Sequence, residues 1–220
     1  MSTLFLDIET IPVSDPDMIA DIIASIKPPK TLKKAENIEK WWIEEGEAAK
    51  EEAIAKTGLD GTYGQVCCIG WAVDDEPAKS LIGDEKAIIA DFFCQVESLA
   101  IAKHYAHPIK THMLVGHNLA AFDLRFLWQR AVINGIPRPK SIPWNAKPWE
   151  LQDTMLLWNP DRDKRISLDR LCKVLGVPTS KGELDGSKIA QAWRDGRHAE
   201  IADYCRADVE ATRECWRKMK

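Results

Sequence analysis

Alternating apolar and polar positions predict the first strand close to the N-terminus. In residues 3–9, TLFLDIE, the period-2 alternation of a strand places two acids, Asp7 and Glu9, on the same face. Residues 65–73 are apolar on both faces, which is typical of a central strand. Shorter runs predict three further strands, at about 80–82, 113–116 and 153–158. The chain therefore offers five strands for one sheet.

Apolar residues at helical spacing follow these strands. Asp84 is placed to cap a helix that runs beyond residue 88, and a helix over about 122–134 is ended by Gly135. Ser167 and Gly176 are placed to begin and end a third helix. Two more helices are predicted near 187–195 and 198–219. Strands that alternate with helices predict a mixed α/β sheet with helices on its faces.

The segment from residue 11 to about 63 differs from the rest of the chain. It carries four prolines and the basic run KPPKTLKK, followed by a Glu/Lys/Ala-rich stretch that predicts helix. We interpret it as a helical insertion within a single domain spanning residues 1–220, since a chain of this length buries one substantial core. Its lysines, with Trp41 and Trp42, either guide a single strand of nucleic acid or form a solvated helical surface with packing tryptophans.

Charge and composition narrow the classes of function. A net charge of −4 argues against sequence-blind coating of duplex nucleic acid, although it permits binding of a short end. The apolar runs are much shorter than the roughly 20 residues that cross a bilayer, and the N-terminus lacks the features of a signal peptide. We therefore expect a cytoplasmic protein without a membrane partner. The six cysteines include no C-x-x-C pair and are interpreted as reduced core thiols.

One acid interrupts the apolar stripe of the last helix. At 100° per residue, the tail from Ile201 has an apolar side, with Arg213 among the charged residues on the opposite, solvated side. Asp208 lies near the middle of the apolar stripe, and Tyr204 precedes it by one turn on the same face. A buried, ionised carboxylate without a partner costs several kcal/mol. Asp208 must therefore be neutral, paired with a cation or bound to a metal.

A fourth acid follows the end of a predicted strand. In GHNLAAFDLRFL, residues 116–127, the strand end is followed by His117 and Asn118, and then by Phe122 and Asp123 at the start of a helix. Residues just beyond strand ends commonly form functional sites. Each acidic motif alone is common by chance, so their combination and order carry the interpretation.

Three motifs, in this order, resemble the DEDD superfamily of 3′–5′ exonucleases, which has a ribonuclease-H-like fold. They are FLDIET at 5–10, N-x-x-x-F-D from Asn118 to Asp123, and Y-x-x-x-D from Tyr204 to Asp208. A tyrosine four residues before the last acid resembles the tyrosine branch of the superfamily. The segments GQVCCIGWA and SKGELDGSKIAQAW further resemble predicted exonucleases similar to the proofreading domain of family-B DNA polymerases.

This resemblance implies two divalent cations, Mg²⁺ or Mn²⁺, as cofactors. Hard ions of this kind prefer carboxylate oxygens, and a pair of them serves both the attacking and the leaving oxygen of a phosphodiester. By resemblance, Asp7, Glu9 and Asp208 hold the ion that activates water. Asp7 and Asp123 hold the ion near the leaving 3′ oxygen. Tyr204 is expected to orient the attacking water.

The resemblance also implies substrate contacts, each with a structural alternative. Thr10 contacts the terminal nucleotide or has a structural role, and Asn118 bonds to the substrate or braces its loop. Phe122 is a stacking platform or a core residue. Lys181 reaches a phosphate or is an ordinary exposed lysine.

The expected function is a 3′–5′ exodeoxyribonuclease that degrades single-stranded DNA ends to nucleoside 5′-monophosphates. We expect 3′ ends of single-stranded DNA as the substrate and a replication or repair protein as a partner. One alternative is an exoribonuclease of the same superfamily, since the 2′-hydroxyl is a feature that proteins read. A second is a non-catalytic nucleic-acid-binding or docking module, which the intact set of four acids and Tyr204 disfavours.

Overall fold

A computed structural model shows one mixed five-stranded sheet. It describes residues 2–102, 112–144, 151–160, 164–179, 182 and 184–220. The strands are β1 (Thr3–Ile11), β2 (Gln65–Val73), β3 (Lys79–Ile82), β4 (Met113–Gly116) and β5 (Gln152–Asp153). Their spatial order is β3-β2-β1-β4-β5, with β1 antiparallel to β2 and parallel to β4. The predicted α/β fold is confirmed, and β1 is its central strand.

Helices cover both faces of the sheet. They are α1 (Pro16–Ser25), α2 (Ala35–Glu44), α3 (Gly46–Thr57), α4 (Glu85–Ala102), α5 (Asp123–Ile133), α6 (Thr154–Trp158), α7 (Leu168–Leu175), α8 (Ile189–Arg194) and α9 (His198–Lys218). A short 3₁₀ helix, Gly186–Lys188, precedes α8. None of the helices among the described residues has the length and apolar character needed to cross a bilayer.

Local hydrogen bonds begin and end helices where the sequence predicts. The Asp84 carboxylate accepts from the Ala87 N–H at 3.0 Å at the start of α4, and the Ser167 hydroxyl accepts from the Arg170 N–H at the start of α7. Gly176 ends α7 with a φ of 63°, a left-handed conformation that favours glycine. These caps confirm the predicted boundaries.

The alternation along β1 separates two cores. Leu4, Leu6 and Ile8 are buried in the cluster that also contains Phe92 of α4 and Phe126 of α5. On the other face, the Phe5 ring meets Trp216 of α9 edge-on, with the ring centroids 5.4 Å apart. Asp7 and Glu9 share that second face, so α9 is the helix that covers them.

Gly70 lets α9 lie close to the sheet. It pairs with Asp7 across the β1–β2 ladder. A Cβ atom at this position would lie 2.7 Å from the Cys205 Sγ atom and 3.1 Å from the Cys205 carbonyl oxygen. Only a residue without a side chain permits this approach, which brings the middle of α9 next to the two acids of β1.

Two sequence predictions are wrong in detail. Residues 153–158 are not a strand: β5 ends at Asp153, whose carboxylate accepts from the Met155 N–H at 3.0 Å and caps α6. The predicted solvated position of Arg213 is also wrong, because the residue is buried. Its guanidinium donates to the carbonyl oxygens of Asp74 and Glu76 at 3.2 and 2.7 Å. These bonds compensate for the burial of its charge.

The predicted insertion consists of the helices α1, α2 and α3. Neither α1 nor α2 contains a buried residue. Helix α1 was not predicted, although Asp15 caps it and Pro16 is its first residue, which are both helix-start signals. The rings of Trp41 and Trp42 meet edge-on at 4.9 Å, and Trp42 packs over Gly46. These contacts favour a packing role for the two tryptophans.

Candidate active site

Strand β1 and helix α9 bring the predicted acids together. Asp7 and Glu9 lie on the face of β1 that α9 covers, and one oxygen of each lies within 4.8 Å of the other and of the Cys205 thiol. Asp208 is close enough to raise the pKa of both carboxyls. The side chains of Asp7, Glu9 and Asp208 therefore form one cluster.

The electrostatics of the cluster disfavour full ionisation. Burial raises the pKa of Asp7 well above its ordinary value, and the charges of Asp208, Glu9 and Asp123 raise it further. Burial also raises the pKa of Glu9, and Asp208 is its next largest influence. Neighbouring carboxylates repel one another at short range. The cluster therefore attracts either protons or a cation.

Asp123 occupies a place that a longer β4 strand would have filled. The β1–β4 ladder covers only Thr3 to Phe5, so Ile8 has no partner strand on this side. The Asp123 Oδ1 atom accepts from the Ile8 N–H at 3.1 Å. One carboxylate oxygen is thus held against β1 between Asp7 and Glu9. Burial is the main cause that raises the pKa of Asp123 to about 7.

Tyr204 lies beside Asp208 as a neutral phenol. It is half-buried against the cluster of Ile11, Cys68 and neighbouring apolar residues. Burial raises the pKa of its hydroxyl, and the charges of Asp208 and Glu9 raise it further; its side chain is hydrogen-bonded to Asp208. The phenol keeps its proton at any physiological pH, so it acts as a hydrogen-bond donor.

The loop before Asp123 is held in an uncommon conformation. Asn118 has a φ of 64°, a left-handed value that is uncommon for residues other than glycine. Its N–H donates to the buried Asp153 carboxylate at 2.9 Å, and its carbonyl accepts from the Phe122 N–H at 3.0 Å. The His117 ring lies 2.9 Å from both the Thr154 hydroxyl and the Ile166 carbonyl. The loop's backbone is therefore fixed from both sides.

Thr10 and Phe122, two of the other predicted substrate residues, have structural contacts within the protein. The Thr10 hydroxyl donates to the Gly58 carbonyl at 2.6 Å and joins β1 to the end of the insertion. Phe122 packs on Phe126, with ring centroids 5.6 Å apart, and is half-buried. Lys181 lies outside the described residues. Contacts of Thr10, Asn118 and Phe122 with a substrate stay predictions.

Sequence reasoning missed two contributors to the site. The Cys205 thiol donates to the Asp7 Oδ2 atom at 3.5 Å, and its position next to Tyr204 on the buried stripe was the available signal. Asp153 supports the Asn118 loop, and an acid followed by threonine before an apolar run was a cap signal that pointed to it. Both residues act on the geometry of the predicted acids.

The donor set fits a divalent cation. Asp7, Glu9 and Asp123 all have raised pKa values, and the neighbouring charges that raise them are mainly carboxylates. Clustered carboxylate oxygens suit hard ions such as Mg²⁺ and Mn²⁺, whose charge offsets the repulsion. The site thus has the ligand chemistry that a metal-dependent hydrolase requires.

Comparison with known proteins identifies the family. A family described as predicted 3′–5′ exonucleases related to the exonuclease domain of PolB matches residues 71–220. The chain belongs to this family. The matched range contains Asp123, Tyr204 and Asp208. Asp7 and Glu9 precede this range. The packing of β1 against α9 and against Asp123 brings them next to the three matched residues. No curated protein matches the chain.

A solved structure shows the same fold. The family B DNA polymerase from the hyperthermophilic archaeon Pyrobaculum calidifontis aligns with a TM-score of 0.59 and 17% sequence identity. The alignment covers 99% of this exonuclease-family chain and 24% of the polymerase chain. At that identity the similarity shows the fold alone. The mixed five-stranded sheet of this chain therefore has the fold of a part of that polymerase, and the family match relates the chain to the PolB exonuclease domain.

Proposed function

We propose that the protein is a metal-dependent 3′–5′ exonuclease of the tyrosine branch, acting on single-stranded DNA and releasing nucleoside 5′-monophosphates. The observation that carries the proposal is the convergence of Asp7, Glu9 and Asp208 beside Tyr204, with Asp123 held against the same strand. A cluster of mutually repelling carboxylates attracts protons or a cation, and clustered carboxylates are the ligands that a two-metal nuclease uses.

The four acids would hold two divalent cations, Mg²⁺ or Mn²⁺. When bound, such ions supply an activated water and neutralise the charge that develops on the leaving oxygen. Asp7 and Glu9 are fixed by the central strand, and the Asp123 carboxylate is oriented by the Ile8 N–H. Asp7 and Glu9 are paired with Gly70 and Cys68 of β2, so these ligands sit on a strand of the sheet and not on a loop.

Tyr204 would orient the attacking water. Its hydroxyl is hydrogen-bonded to Asp208, and the raised pKa of the phenol keeps the proton on the oxygen. The hydroxyl also has lone pairs that accept a hydrogen bond from a water on the other side. Tyr204 thus fixes the direction of a water next to Asp208 without itself removing a proton.

We propose single-stranded DNA because the related solved structure is a DNA polymerase and the family is related to its exonuclease domain. The net charge of −4 disfavours binding along a long duplex and permits recognition of a short end. Thr10, Asn118, Phe122 and Lys181 are proposed to contact the terminal nucleotides. The same oligonucleotide sequence made as RNA tests the exoribonuclease alternative directly.

Degradation of end-labelled oligonucleotides tests the proposal. With Mg²⁺ or Mn²⁺, a 3′-labelled single strand should release its label at once as a mononucleotide, while a 5′-labelled strand should shorten stepwise. EDTA and Asp208→Asn should abolish both reactions. The matched control is Asp203→Asn, which changes an exposed carboxylate on the same helix and should leave the rate unchanged. Internal cuts alone, or an unchanged rate for Asp208→Asn, would contradict the proposal.

A further inference from the structure

A large groove lies near the carboxylate cluster, and its lining residues are distinct from those of the cluster. It has a volume of about 1340 Å³ and lies at the carboxyl end of β1, between α8 and α3. Ile11 and Gln65, at the paired ends of β1 and β2, lie at its base. The groove is therefore at the same end of β1 as Asp7 and Glu9.

The groove begins where the cluster of acids ends. Ile11, which lines it, follows Glu9 by two residues. Cys67 also lines it, and the Cys67 thiol donates to the Glu9 carbonyl oxygen at 3.4 Å. Two of the lining residues, Ile11 and Cys67, are therefore direct neighbours of Glu9 in the sequence or in the sheet.

The α8 side of the groove carries an aromatic pair and a cation. The Trp193 ring stacks on the His198 ring, with centroids 4.3 Å apart and an interplanar angle of 31°. Arg194 is exposed next to them, and its guanidinium donates to the Gln191 side chain at 2.7 Å. Grooves that bind single strands commonly combine an aromatic surface, on which a base stacks, with a cation that contacts a phosphate.

Charge and volume restrict how a strand fits. Glu51 and Asp84 lie on the other side, and Glu85 is neutralised by Arg130 at 2.8 Å. The acidic side repels phosphates, so the backbone of a bound strand belongs along α8. Sites for a single drug-sized molecule measure about 300–1,000 Å³. A groove of about 1340 Å³ thus has room for more than one nucleotide.

We propose that this groove, named here the α8 groove, holds the single strand upstream of the 3′-terminal nucleotide. A base stacks on the Trp193–His198 pair, and a phosphate contacts Arg194. The inference rests on the proposed function, since it takes the carboxylate cluster as the position of the 3′ end. It adds a binding track to that function and names the residues that set the affinity for longer strands.

Two measurements on the full chain separate the track from the active site. The first is the fluorescence anisotropy of a 5′-labelled oligo-dT dodecamer with Ca²⁺ in place of Mg²⁺. The second is hydrolysis with Mn²⁺ of the p-nitrophenyl ester of thymidine 5′-monophosphate, which has no upstream nucleotide. Trp193→Ala should weaken dodecamer binding at least about 5-fold, since stacking of one base contributes about 1–3 kcal/mol. Arg194→Gln should also weaken it, and the salt dependence of binding should become shallower.

The control variant is Trp128→Ala. Trp128 is also an exposed tryptophan near an arginine, with Arg138 5.9 Å from its ring centroid, but it lies on α5 away from the groove. This variant should bind the dodecamer like the wild type. Thermal melts should show that all three variants fold.

The outcomes show whether the substitutions act on strand binding in the α8 groove or on the active site. If Trp193→Ala and Arg194→Gln bind the dodecamer like the wild type, the α8 groove is not the track. If ester hydrolysis falls as much as dodecamer binding, the substitutions act on the active site and the inference is also wrong. A wild-type chain that degrades neither ester nor oligonucleotide would refute the proposed function, and anisotropy would still show whether the groove binds DNA.

Discussion

Replacing Asp123 by asparagine should stabilise the metal-free protein. The wild-type carboxyl is buried among other acids, and its pKa is raised from 3.8 to about 7. A carboxyl with a raised pKa in the folded state is harder to ionise there than in the unfolded chain. The wild type therefore loses stability as the pH rises from about 4 to about 7, and the loss is complete above that range. The asparagine side chain of the variant carries no charge and keeps an oxygen for the Ile8 N–H.

The size of the effect follows from the shift in pKa. A rise from 3.8 to about 7 corresponds to about 4 kcal/mol of unfolding free energy, at about 1.4 kcal/mol for each pH unit. This is an upper value, because neighbouring acids that take up protons relieve part of the repulsion. The variant should exceed the wild type by about 2–4 kcal/mol near pH 8 and by less than about 1 kcal/mol near pH 4.

Urea unfolding in EDTA, followed by tryptophan fluorescence, measures this difference. Exposed Asp91, changed to asparagine, is the control and should alter stability by less than about 0.5 kcal/mol at either pH. Added Mg²⁺ should stabilise the wild type more than Asp123→Asn, since ligands stabilise the state that binds them. The reasoning would be refuted if metal-free Asp123→Asn were no more stable than the wild type near pH 8, or if its advantage were the same near pH 4.

Three further predictions concern activity and packing. Tyr204→Phe should lower kcat by about 10²-fold or more while Mn²⁺ affinity, measured by calorimetry, changes little. Equal losses of kcat and of Mn²⁺ affinity would mean that the tyrosine is structural. Activity at fixed metal concentration should rise as the pH passes about 7, where the Asp123 proton leaves, and more Mn²⁺ should move the midpoint of the pH–rate curve to lower pH. Gly70→Ala should destabilise the protein by about 1–3 kcal/mol and lower activity, because its Cβ would meet Cys205 and displace α9. Gly186→Ala is the control, because a Cβ atom at this position would meet no atom within 4 Å, and it should change neither stability nor activity. Similar urea midpoints for the two variants would argue against close packing of α9 on β2.

Much of the fold could be predicted because local signals and burial agree. The alternation in TLFLDIE correctly placed Asp7 and Glu9 on one face of a strand, and the stripe of the last helix correctly placed Asp208 toward that strand. Caps at Asp84 and Ser167 marked helix starts that the hydrogen bonds confirm. These features depend on residues a few positions apart, and sequence patterns record such relations well.

Several of the errors and omissions depend on contacts between distant segments. Arg213 has the sequence position of a solvated residue, but it is buried because the carbonyl groups of the turn after β2 accept its hydrogen bonds. Asp153 precedes an apolar run and could belong to a strand or cap a helix, and the structure shows that it ends β5 and caps α6. The α8 groove requires α3 and α8 to face each other across the sheet edge, which no local pattern predicts.

Anomalous scattering from crystals soaked in Mn²⁺ tests the central claim most directly. The account predicts manganese peaks within coordination distance of the carboxylates of Asp7, Glu9 and Asp208, with Asp123 near a second peak. Occupancy should fall when the soak is made acidic, since protons compete with the metal for the same oxygens. A lysine or arginine side chain seated among these acids, with no manganese peak at neutral pH, would contradict the account.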